Sequence, residues 1–110
     1  MRRTDEKGTS QGGETIELPE EHVKKYLGIT KKALNKVKII APEPSYTRKM
    51  AEDFLNMAES YYSDALHFFE KGDLINAFAS VNYAHGWLDA GARLGFFDVG
   101  GDWRLFTLSE

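Results

Sequence analysis

Between Tyr61 and Gly95 two amphipathic stretches meet at Glu70-Lys71-Gly72-Asp73 with almost no residues between them. Gly is favoured in the left-handed position just past a helix end, and Asp caps the next helix by accepting from a backbone N–H three residues on, here Asn76. The pattern therefore predicts a tight antiparallel helical hairpin. A chain committed to two long helices this close together can only build an all-α core.

The rest of the chain fits around that hairpin. Residues 1–15 carry Gly8, Gly12 and Gly13 among charged and hydroxyl side chains, with no apolar group to bury before Ile16; a disordered tail is expected. Pro19 suits a first helical turn, and Glu20 and Glu21 suit the positive end of a helix dipole. A first helix from about Pro19 to Ile39 would place Val23, Tyr26, Leu27, Ala33, Leu34, Val37 and Ile40 on one face. Its opposite face would carry Lys24, Lys25, Lys31, Lys32, Lys36 and Lys38. Ala41-Pro42-Glu43-Pro44 reads as an extended connector, since each proline disfavours helix in the residue before it. The second helix should start after Ser45 or Thr47 and present Phe54, Met57, Ala58, Tyr61, Ala65, Phe68 and Phe69. The third reads Leu74, Ala77, Phe78, Val81, Ala84, Leu88 and Ala92 on one side, with Gly95 as terminator. Ala77, Ala84 and Gly91, seven apart, would let a neighbouring backbone approach closely.

After Gly95, Phe96-Phe97-Asp98-Val99, Gly100-Gly101 and Asp102-Trp103-Arg104-Leu105-Phe106 have the form of two short strands about a Gly-Gly turn. A lone hairpin is marginal in water. This segment should either pack over the bundle as a hairpin or strap, or offer Phe96, Phe97, Trp103 and Phe106 to a partner. The expected organisation is thus a tail over 1–15, a three-helix bundle over 16–95 and an apolar C-terminal segment over 96–110.

Tyr62-Ser63-Asp64-Ala65-Leu66-His67-Phe68-Phe69-Glu70-Lys71-Gly72-Asp73-Leu74, followed by Tyr83-Ala84-His85-Gly86-Trp87-Leu88-Asp89-Ala90-Gly91-Ala92-Arg93-Leu94-Gly95, resembles the archaeal family catalogued as domain of unknown function 357. The likeness covers about residues 20–97. It implies a three-helix bundle from an archaeal cytoplasm, an accessory helical module with no established activity.

Chemistry is harder to find. The chain has no cysteine, which excludes disulfides, thiolate nucleophiles and sulfur-ligated metal sites. No apolar run approaches the roughly 20 residues of a membrane span, nor is there an apolar segment after the polar N-terminus, so a cytoplasmic protein without a membrane anchor is expected. Asn82, His85, Asp89 and Arg93 fall along one side of the third helix and could in principle serve acid–base work or hold a phosphate; an ordinary polar stripe accounts for the same spacing. His67, between Asp64 and Glu70, lacks the further glutamates of a di-iron bundle, so neither a metal nor another cofactor is expected. No histidine has an arginine four to six residues upstream, as the ribonucleases of the HEPN type require.

Charge is uneven. Residues 22–42 hold six lysines and no acid, while the segments on either side are net acidic and the whole chain is at −3. The lysine face, Lys24, Lys25, Lys31, Lys32 and Lys36, could contact an anion such as RNA or a nucleotide, alone or together with His85, Asp89 and Arg93. Overall acidity argues against the broad basic surface of a nucleic-acid binder. The residues therefore favour a non-enzymatic interaction module whose partner is another protein or a second copy of itself.

Overall fold

In the computed structural model, which describes residues 18–42, 45–99, 101 and 103–106, the chain is a three-helix bundle closed at one end by a short strap. The tail expected over residues 1–15 lies outside the described residues. Helix α1 (Glu20–Lys36) leads through strand β1 (Lys38–Ile39) to the long helix α2 (Tyr46–Glu70); α3 (Leu74–Arg93), strand β2 (Phe97–Asp98) and the single-turn α4 (Trp103–Phe106) follow.

The hairpin junction is built as the residue types dictate. Lys71 closes α2, Gly72 adopts a φ of 81°, and the Asp73 side chain accepts from the N–H of Asn76 at 3.2 Å while its other oxygen accepts from the Asn76 amide at 2.7 Å. Ser45 is the cap that starts α2, accepting from the Arg48 N–H at 3.0 Å. Arg48 also donates to the Ala41 carbonyl, which ties the connector to the helix it feeds.

The α2–α3 seam is made of small residues on both sides. Ala51, Ala58 and Ala65 are fully buried at intervals of seven, and in the antiparallel partner Ala77 and Ala84 are fully buried and Gly91 buried at the same interval. Reversed by the hairpin, the two series run against each other and let the backbones approach, while Phe54, Tyr61, Tyr62, Phe68 and Phe69 flank the seam. Only the α3 half of this series is expected from the sequence. Helix α1 then lays Val23, Leu27, Thr30 and Ala33 across the hairpin, a stripe of period three to four that is buried from end to end.

Two boundaries differ from the sequence reading. Helix α1 stops at Lys36 rather than continuing to about Ile39, because Val37 turns extended and Lys38–Ile39 pair antiparallel with Phe97–Asp98, in register Lys38 to Asp98 and Ile39 to Phe97. β-branched Val37 and Ile39 suit this conformation better than a helix end. Ile40, expected in the core, is left 56% exposed. Correspondingly, the C-terminal segment is not a self-paired hairpin: its first half uses the backbone of residues 38–40 as its partner, and its second half is helical. It is a strap over the bundle. Phe97 is received by Gly91, where an added Cβ would stand 2.1 Å from the ring.

Candidate functional site

Among the described residues, chemically competent side chains converge at the junction of α1, α3 and α4. Thr30 and His85 come from helices 55 residues apart in sequence and both are buried, at 0% and 1% exposure. Thr30 Oγ1 and His85 Nδ1 are 3.0 Å apart. On the other side of the ring Nε2 is buried without a hydrogen-bond partner. Burial pushes the His85 imidazole below its ordinary pKa, opposed by the negative charge of Asp89 and by the backbone of Phe106 and Leu105. Burial favours the neutral imidazole, with Nδ1 beside the Thr30 hydroxyl and Nε2 facing no hydrogen-bond partner.

This arrangement separates the polar row expected on α3. His85 faces inward, so it cannot act with Asn82, which is half-buried elsewhere on the helix surface. Asp89 and Arg93 pair with each other within α3 at 2.6 Å, the geometry of an ordinary one-turn ion pair. An open acid–base or phosphate site made of Asn82, His85, Asp89 and Arg93 is therefore not formed; the periodicity placed them on neighbouring angles of the helix, and α1 and α4 cover the one occupied by His85. The partner reading of Phe96, Phe97 and Phe106 is likewise corrected. All three are buried, Phe106 completely, and they complete the core. The Trp103 side chain falls outside the described residues.

Lys24, Lys25, Lys31, Lys32 and Lys36 are all exposed along the outer side of α1. Among the described residues there is no group of three His, Cys, Asp or Glu side chains able to hold a metal ion, and no helix is long and apolar enough to cross a membrane.

A feature the sequence reading missed is the outward surface of α3. Ile75, Tyr83 and Leu94 are 74%, 63% and 60% exposed, with Ala79 and Gly86 also exposed and Ala90 half-buried between them. The Tyr83 ring lies against Tyr61 of α2, centroids 5.1 Å apart. The signal was present in the residues: α3 has only Asp89 and Arg93 as charged side chains in 20 positions. A helix so poor in charge has no face suited to open water.

The family model described as "Protein of unknown function (DUF357)" matches residues 25–97. The chain belongs to the DUF357 family. The matched region of this DUF357 protein runs from within α1 to β2, so it includes Thr30, His85, the small-residue seam, the α3 surface and the first half of the strap. No curated protein and no solved structure matches the chain.

Proposed function

We propose that this DUF357 protein is a helical interaction module without a catalytic site of its own, and that it binds through the outward face of α3. The observation that carries this reading is the exposure of Ile75, Tyr83 and Leu94 along one side of α3 and its C-cap, a side on which Arg93 is the one charged residue and whose opposite side is engaged in the core. Isolated apolar side chains are common on protein surfaces, but a row of them interrupted by a single charge, itself paired within the helix, is characteristic of a contact surface. The sealing of His85 supports the non-enzymatic part of the reading, since a ring 1% exposed cannot reach a substrate.

A photoreactive residue at Ala79 of the full chain, compared with one at Lys32 on the lysine face, tests the proposal in cells. Protein adducts at 79 with none at 32 are expected. Nuclease-sensitive adducts at 32, with none at 79, would overturn it and favour an RNA-associated role for the α1 lysines.

A further inference from the structure

We infer that the occupant of the α3 face is a second copy of this chain, docked antiparallel about a two-fold axis at the height of Ala84 and His85. The inference rests on the reading of α3 as an interaction face and names its partner. Ile75, Ala79 and Tyr83 approach that height in steps of four, and Gly86, Ala90 and Leu94 leave it in the same steps. Turned end for end, the first trio of one copy meets the second trio of the other. Tyr83 then lies at the height of Gly86 of the partner subunit, Ala79 at that of the partner's Ala90, and Ile75 at that of the partner's Leu94.

The sizes suit this pairing. Gly86 is exposed and nothing lies within 4 Å of the position its Cβ would take, so it leaves a recess for a ring. Two facing alanines let the helices approach, and Ile75 and Leu94 close the ends. A parallel copy would set Tyr83 against Tyr83 and Gly86 against Gly86, a clash beside a gap. Charge selects the same orientation. Asp89 and Arg93 both lie in the C-terminal half of α3, so an antiparallel partner presents its uncharged half to them, whereas a parallel one would stack like on like. This is the self-complementary pattern of an isologous contact, in which residue i meets j and j meets i.

Neither residues 1–17 nor residues 107–110 suit that face. Residues 1–17 contain only Met1 and Ile16 as large apolar side chains, and residues 107–110 only Leu108. The face is large enough for a reversible dimer. A 20-residue helix is about 30 Å long, and a strip about 15–20 Å wide along it buries roughly 1,000 Å² over both copies, at the lower end of specific interfaces.

Sedimentation equilibrium of the purified full chain, with and without Gly86→Glu, is the test. A concentration-dependent dimer is expected, with the variant raising the dissociation constant by about tenfold or more while melting no lower than the parent, since the site is open. Because the chain has no cysteine, register can be read separately. Oxidation should cross-link an equimolar mixture of Ala79→Cys and Ala90→Cys chains but neither chain alone, as like positions stand about 16 Å apart along the axis. A monomer up to several hundred micromolar, a dimer indifferent to Gly86→Glu, or single-cysteine chains that cross-link as well as the mixture would overturn the inference. A monomer that still forms protein adducts at position 79 in cells would sink the second copy as partner and leave the interaction reading standing.

Discussion

Thr30→Val isolates the buried polar contact that joins α1 to α3. Valine keeps the volume of threonine, so the packing of a fully buried position survives and only the hydroxyl is lost. His85 Nδ1 then joins Nε2 as a buried nitrogen without a partner, and leaving a desolvated group unsatisfied costs about 1–3 kcal/mol. In a domain of this size that corresponds to a drop of about 5–20 °C in melting midpoint. His85→Leu removes the ring with both nitrogens, and the remaining Thr30 hydroxyl can turn to a carbonyl one helical turn earlier. The double variant should therefore cost less than the sum of the singles by about 1 kcal/mol. Urea unfolding of the four proteins at pH 8 and pH 5.5 measures this cycle. The second pH adds an independent sign. Burial holds the folded-state pKa of His85 below its ordinary value of about 6.5, so the unfolded chain binds more protons. Stability is full above the unfolded pKa and declines as pH falls from there towards the folded one; the part of that decline due to His85 should vanish in His85→Leu. A Thr30→Val protein within about 0.3 kcal/mol of the parent, additive with His85→Leu and unchanged in pH profile, would refute a structural role for the contact.

Three further substitutions test the frame around it. Gly91→Ala places a methyl group 2.1 Å from the Phe97 ring and must displace the strap, at about 1–3 kcal/mol by urea unfolding. Gly72→Val, at φ 81° with open space around it, should cost about 1 kcal/mol or more from backbone strain alone, and Gly72→Asn much less; an unchanged midpoint for the valine would contradict the hairpin geometry. Truncation after Gly95 removes Phe96, Phe97, Val99 and Phe106 from the core, and should give an aggregation-prone chain with a lower melting midpoint and increased binding of a hydrophobic dye.

Local signals carried most of the fold, and long-range ones carried what was missed. Ser45, Gly72, Asp73 and Gly95 declare helix ends through chemistry confined to three or four residues, and each acts in the structure as its type implies. The pairing of Lys38–Ile39 with Phe97–Asp98 spans nearly 60 residues, and no short-range rule distinguishes it from the hairpin that Gly100-Gly101 suggests. The burial of His85 was hidden for the same reason. Its place on α3 was readable, but the cover supplied by Thr30 and the α4 backbone depends on how α1 and the strap dock.

Helix α3 is where fold and proposed function meet. One side carries Ala77, Ala84 and Gly91 against α2, another carries Val81, His85 and Leu88 beneath α1 and α4, and only the third faces outward. In a bundle of three helices each member needs apolar residues over roughly half its circumference and charge over the remainder. Helices α1 and α2 obey that rule, with lysines on the outer side of one and Glu52, Asp53, Glu59 and Asp64 exposed on the other. Helix α3 follows it only in part; beside Asn76 and Arg93, its outward row could have taken lysine or glutamate without touching the core, yet it holds isoleucine, alanine, tyrosine, glycine and leucine. Tyr83 rests on the Tyr61 ring, but the core of the monomer gives no reason for the others. The proposed second copy on that side would, and the small-residue chemistry that lets α2 approach one face of α3 is repeated, by Ala79, Gly86 and Ala90, on the face left open.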